Sequence, residues 1–141
     1  MSNFYQKLTQ GVLIVGCIIA AAPPAWATSF TINDGETVTA AQTLVDNETG
    51  LIISGGILNI TGNDAILVNG DNVVITNNGT ITAVNDAIDG PATGTVTTIT
   101  NNGTITTSAA GDIASAEAIN FTGANAPTLI LTNNGTIQTF G

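Results

Sequence analysis

The chain contains no histidine, one cysteine, Cys17, and one basic residue, Lys7, against ten acidic ones. Each absence excludes a class of function. Without cationic side chains nothing can neutralise phosphate, so nucleic-acid binding is out and anionic membrane surfaces are poor partners. Past Cys17 there is no His, Cys or Lys from which to assemble a nucleophile–base pair. No disulfide can form, so packing and hydrogen bonds alone must hold the fold. Aromatics are scarce, with four Phe, one Tyr and one Trp. The formal net charge of −9 favours solubility and would attract divalent cations. Disorder is excluded by what remains, because Ile, Val and Leu recur at regular intervals.

Residues 1–27 read as a secretory signal peptide. Lys7 supplies the positive n-region, and Val12 to Ala22 is an almost unbroken apolar run too short to span a bilayer. Pro23 and Pro24 end any signal helix, and Ala25-Trp26-Ala27 gives the small-x-small cleavage pattern through Ala25 and Ala27. Ile14-Val15-Gly16-Cys17 resembles a bacterial lipobox with Cys17 acylated. The apolar run continues past Cys17, however, and that residue fits an ordinary small hydrophobe. The mature chain is expected to be Thr28–Gly141.

What that chain does have is repetition. Thr-Asn-Asn-Gly-Thr-Ile occurs unchanged at Thr76–Ile81, Thr100–Ile105 and Thr132–Ile137, with starts 24 and then 32 residues apart. A period in this range points to a solenoid, in which each repeat is one turn and neighbours bury one another's apolar side chains. The expected fold is all-β, a parallel β-helix (solenoid) of about four to five coils. Residues 28–50 would form an amino-terminal cap or first coil, carrying Phe30, Ile32, Val38, Leu44 and Val45. Residues 51–141 would form the remaining coils and stop without a cap.

Around each hexapeptide the alternation of a strand is visible. Val73, Ile75, Asn77, Gly79 and Ile81 face one way, followed by Thr97, Ile99, Asn101, Gly103 and Ile105, then Leu129, Leu131, Asn133, Gly135 and Ile137. Ile52, Ser54, Gly56, Leu58 and Ile60 read as a diverged copy in the register of the Ile75 series. Inward Asn becomes acceptable if Asn77, Asn101 and Asn133 stack roughly 4.8 Å apart and their amides bond in a ladder. Gly79, Gly103 and Gly135 then serve a bend that needs no Cβ, often at positive φ. The competing reading of Asn-Gly is a hairpin turn, but no partner strand follows two residues on.

Asp64-Ala65-Ile66, Asp86-Ala87-Ile88 and Glu117-Ala118-Ile119 form a second repeated element. Insertions in repeats map to loops, and Thr107–Ser115 and Gly90–Gly94 read as loops leaving the coil wall.

Signal peptide, acidic mature chain and Ile-x-Asn-x-Gly-x-Ile coils together resemble the start of an autotransporter passenger domain, a surface β-helix adhesin type of Gram-negative bacteria. That resemblance implies a right-handed parallel β-helix, export, display at the cell surface or outer membrane or release from it, and an extracellular ligand or host surface as partner. It also implies further coils and a carboxy-terminal β-barrel translocator, of which the sequence shows no alternating-strand segments. β-Helix polysaccharide lyases resemble one another in using Arg or Lys as base, both absent from the expected mature chain.

The function expected is therefore a non-enzymatic exported scaffold, with no catalytic residue and no cofactor. Paired carboxylates leave a small secreted carbohydrate-binding or hydrolytic β-helix as the alternative, drawing on Asp64, Asp71, Asp86 and Asp89. The column Asp64, Asp86 and Glu117 is a weak Ca²⁺ candidate, since a hard cation would relieve repulsion between stacked carboxylates. Simple solvation of three exposed side chains accounts for it as well. Outward Thr80/Thr82 and Thr104/Thr106 form a Thr-x-Thr array resembling the face of some β-helical ice-binding proteins, although outward Thr is also an ordinary strand residue. Six Asn-x-Ser/Thr sequons are present, at Asn47, Asn59, Asn78, Asn102, Asn120 and Asn134, and the three within the hexapeptide follow from its turn chemistry.

Overall fold

A computed structural model describes residues 28–90, 96–108, 116–122 and 127–140. The signal segment 1–27 lies outside the described residues, with its expected helix, lipobox and cleavage site. So do 109–115 and 91–95, most of the two expected loops.

The described residues contain no helix and form thirteen strands in three parallel sheets. The first sheet orders β1 (Thr28–Ile32), β4 (Thr49–Ile52), β7 (Val73–Asn77), β10 (Val96–Asn101) and β12 (Thr128–Asn133). The second holds β2 (Thr37–Val38), β5 (Ile57–Ile60), β8 (Thr80–Ala83), β11 (Thr104–Thr107) and β13 (Thr136–Gln138). The third holds β3 (Gln42–Leu44), β6 (Ile66–Val68) and β9 (Ile88–Asp89). Strands that follow one another in the chain lie in different sheets, and each pairs with its counterpart from the next repeat. This is a β-solenoid. Every strand pairing is parallel, so Asn-Asn-Gly turns corners between sheets and closes no hairpin.

Register follows the repeats. Thr97 pairs with Val73 and Leu129, Ile99 with Ile75 and Leu131, and Asn101 with Asn77 and Asn133. Alternation then sends one residue in two to the interior, where Ile32, Leu44, Ile52, Leu58, Ile66, Ile75, Ile81, Ile88, Ile99 and Ile105 are fully buried. Each such side chain contributes about 1.5–3 kcal/mol relative to exposure, which is how a fold without disulfides holds together. Residues 28–50 pair in register with the following coil through β1–β4, β2–β5 and β3–β6. Phe30, Ile32 and Leu44 are buried there, while Val45 is exposed rather than packed.

Two expectations need correcting. Ile52 does not stand in the register of Ile75; it pairs with Asn77, and Gly50 pairs with Ile75. Ser54 is exposed rather than inward. The cause is corner length. Four residues, 53–56, separate β4 from β5, but only Asn78 and Gly79 separate β7 from β8. Past the corner the expected register resumes, with Leu58 against Ile81. Thr107, assigned to a loop from sequence, instead closes β11 as a buried residue.

Candidate functional site

The most organised chemistry in the molecule lies at the Asn-Asn-Gly corners. Asn77 and Asn101 are fully buried polar residues, which is costly unless every polar atom is satisfied. Asn77 Nδ2 donates to Asn101 Oδ1 at 2.8 Å and to Thr104 O at 3.0 Å. Asn101 Nδ2 donates to Asn133 Oδ1 at 2.8 Å and to Thr136 O at 3.1 Å. The oxygens accept backbone N–H groups within their own corners, from Gly79, Gly103 and Gly135. A backbone N–H can only donate and a carbonyl can only accept, so these contacts fix the amide orientation. Asn77 and Asn101 both donate toward the later repeat.

A second amide row runs beside it on the outside, in the opposite sense. Asn102 Nδ2 donates back to Asn78 Oδ1, and Asn134 Nδ2 back to Asn102 Oδ1. Sequence reasoning missed this row, although the second Asn of each corner was its signal.

The glycines owe their places to crowding rather than to φ. None of Gly79, Gly103 and Gly135 lies in the left-handed region. A Cβ on Gly103 would instead collide with Gly79 O, and one on Gly135 with Gly103 O. Those same oxygens accept the N–H of Thr104 and Thr136, both at 2.9 Å.

The acidic column is assembled as well, but only Glu117 of the three is exposed. Asp64 Oδ1 accepts from Asp86 N at 3.1 Å and from Asn85 Nδ2. Asp86 Oδ1 accepts from Glu117 N at 2.7 Å, and its Oδ2 from Asn120 Nδ2 at 2.8 Å. Asp86 is buried, Asp64 half-buried and Glu117 exposed. The picture of three exposed, solvated carboxylates is therefore corrected for two of them: Asp64 and Asp86 each hold the main chain of the next coil, while Glu117 is exposed. Among the described residues no group of three or more potential ligands is placed to hold a metal. Asp89, beside the column, has its carboxyl pushed above the usual 3.8 by burial first, then by repulsion from Asp64, Asp86 and Glu117.

Asp71 lies elsewhere. It stacks on Asp46, whose Oδ1 accepts its N–H at 2.7 Å, and its own Oδ1 accepts Val96 N at 2.8 Å. Asn47 and Asn72 share that corner with φ of 62° and 56°, a conformation Asn tolerates better than most residues. The four aspartates proposed for sugar chemistry thus divide between two corners.

Outward positions of the first two sheets carry threonine columns. Thr76, Thr100 and Thr132 are in register, as are Thr80, Thr104 and Thr136. Gln138 replaces the hydroxyl beside Thr106. Comparison with known proteins gave no matching family model, no matching curated protein and no matching solved structure.

Proposed function

We propose that this chain is a non-enzymatic, exported β-helix scaffold, akin to the amino-terminal part of an autotransporter passenger domain displayed on or released from a Gram-negative cell. Its winding would be right-handed, with four to five coils stacked at roughly 4.8 Å each into a rod of about 20–25 Å. Further coils and a β-barrel translocator would complete the export system, and an extracellular ligand or host surface would be the partner. The observation that supports this is the use made of the carboxylates. Asp46, Asp64, Asp71 and Asp86 accept backbone N–H groups from neighbouring coils. Acid–base groups committed to holding coils together suit a rod better than a hydrolase.

The test is expression of the full chain in a Gram-negative host, followed by cell fractionation and mass spectrometry of the product. Export predicts a chain beginning at Thr28 outside the inner membrane. An uncut chain retained in the cytoplasm would refute the reading.

Ice binding is a second reading, favoured by the in-register pairs Thr80/Thr104 and Thr82/Thr106 on the uncharged outer face of the second sheet. Regularly spaced hydroxyls and methyls at the strand spacing could order a layer of water. Thermal hysteresis measured on the purified chain decides it, and its absence removes the idea.

A further inference from the structure

Asn-Gly is the dipeptide in which an asparagine side chain is most readily attacked by the main chain that follows it, because glycine has no side chain to hinder the approach. The chain holds four, at Asn69-Gly70, Asn78-Gly79, Asn102-Gly103 and Asn134-Gly135. In the reaction the glycine nitrogen, having given up its proton, bonds to the asparagine Cγ. The Cγ–Nδ2 bond breaks, the departing nitrogen takes up the proton and leaves as ammonia, and a cyclic succinimide remains. Water then opens either acyl–nitrogen bond of that ring, giving aspartate or its isomer in which the main chain runs through the side chain. No oxidant is required, so the fold decides which of the four asparagines reacts.

Three of the pairs are restrained from both sides. Gly79 N–H donates to Asn77 Oδ1 at 3.1 Å, Gly103 N–H to Asn101 Oδ1 at 3.3 Å, and Gly135 N–H to Asn133 Oδ1 at 3.3 Å. Gly103 N–H also reaches Asn77 O at 3.1 Å. Removing the proton from such a group would set an anion against an acceptor oxygen, which disfavours the attacking form. The side chains are held too, with Asn102 Nδ2 donating to Asn78 Oδ1 at 2.8 Å and Asn134 Nδ2 to Asn102 Oδ1 at 2.9 Å. Turning either carboxamide onto its own main chain breaks that row. Asn69 has neither restraint. Among the described residues its side chain makes no hydrogen bond, and neither does the Gly70 N–H. Asn69 is exposed to water at the turn between β6 and β7. Crowding does not separate the two kinds, since Gly70, Gly79 and Gly103 all lie against a neighbour's backbone. Hydrogen bonding does.

We propose that Asn69 is a site of spontaneous self-modification in the folded chain, and that the two amide rows spare Asn78 and Asn102. The substrate is the chain itself, with water as co-reactant and ammonia as product. The modification has a mechanical consequence. Asn69 N–H donates to Leu44 O at 2.7 Å, and Asp71 N–H donates to Asp46 Oδ1 at 2.7 Å. The isomer puts one extra carbon into the main chain between those two anchors, which pulls one of them out of place. Either product also sets a new carboxylate two residues from Asp71, which already stacks on Asp46. Ageing therefore loosens the turn between the third and first sheets while the Asn-Asn-Gly corners stay intact. The proposal goes beyond the scaffold reading and rests on hydrogen bonds within the solenoid, independent of export.

The experiment incubates the full chain at mildly alkaline pH, which speeds loss of the amide proton, and maps peptic peptides by tandem mass spectrometry over time. Asn69 should convert first, to a mixture of aspartate and isoaspartate. Asn78 and Asn102 should lag at least about tenfold, since hydrogen bonds must open before either can react. In guanidinium, with the fold gone, all four asparagines should react at similar rates. Asn69→Ser should abolish the early conversion. The aged parent chain should then melt below the fresh one, whereas the aged Asn69→Ser chain should not. Gly70 is no place for a control, because an added Cβ would meet Asp46 N and Val45 C. An unconverted Asn69 in a chain whose unfolded form reacts overturns the proposal, as does conversion of folded Asn78 or Asn102 at the pace of Asn69. The same order of reactivity in guanidinium overturns it as well, by tracing the difference to sequence alone. Each of these outcomes leaves the fractionation result where it stands.

Discussion

The early corners of this solenoid and the late ones turn the chain by different chemistry. After β1 and β4 the corner takes four residues, 33–36 and 53–56, and its bend is made by glycines at φ 72° and 84°, Gly35 and Gly55. The first also closes on itself, with Glu36 accepting the Asn33 N–H at 2.8 Å. After β7, β10 and β12 it takes two residues, uses no left-handed φ, and draws its hydrogen bonds from neighbouring repeats. A corner of the first kind is closed mainly by its own residues. One of the second kind is incomplete without its neighbours. The late coils should therefore be more strongly coupled than the early ones, which is the term that governs cooperativity in repeat proteins.

The strongest way to break that comparison is Gly103→Ala. The added methyl meets the Gly79 carbonyl, a backbone atom that cannot step aside. A loss of about 3 kcal/mol or more is expected in urea unfolding, with several coils affected together. Asn101→Leu comes next. It leaves Asn77 Nδ2 short of its ladder acceptor and the Gly103 N–H with Asn77 O alone, and about 2–3 kcal/mol should go. Hydrogen exchange should show the damage in β7 and β8 as well as in β10 and β11.

Gly35→Ala probes the other kind of corner. Nothing lies within 4 Å of the added carbon, so only the φ of 72° is strained. A cost near ~1 kcal/mol confined to the first corner is expected. Loss on the scale of Gly103→Ala would erase the distinction.

Thr97→Val tests the wall between the corners. Thr97 is fully buried and its Oγ1 has no hydrogen-bond partner. Removing the hydroxyl should raise stability by about 1 kcal/mol in the same urea assay.

The smallest effect should come from Asp89. Its carboxyl is held above 3.8 in the fold, so the folded state binds its proton more tightly than the unfolded chain does. That contribution is fully present below the unfolded value and is lost as pH rises through the raised folded value. Asp89→Asn should consequently be slightly more stable than the parent at neutral pH. The gap should close as pH falls through that window, as read from melting temperatures across a pH series.

Much of this architecture was legible because the hexapeptide is identical three times. Identity at long spacing with strand alternation implies stacking, and the positions of Asn77, Asn101 and Asn133 follow from it. The error at Ile52 shows where such reading stops. Corner length is set by backbone geometry, and a four-residue corner shifts the preceding strand by two positions without disturbing the apolar alternation. The need for Gly79, Gly103 and Gly135 was likewise visible while its cause was not, since close approach of a neighbouring carbonyl has no signature within one repeat. The carboxylates were harder still. Asp64 and Asp86 look alike in sequence to any exposed acid, and only the coil above each reveals the N–H that it holds.

One consequence of the inner amide row concerns stiffness. Dipoles arranged head to tail polarise one another, so a chain of such bonds is stronger than the same bonds taken separately. Each level added to the row tightens those beneath it. A column of this kind resists bending more per level as it lengthens, and its weakest joint lies where the amides begin, between Ile52 and Asn77.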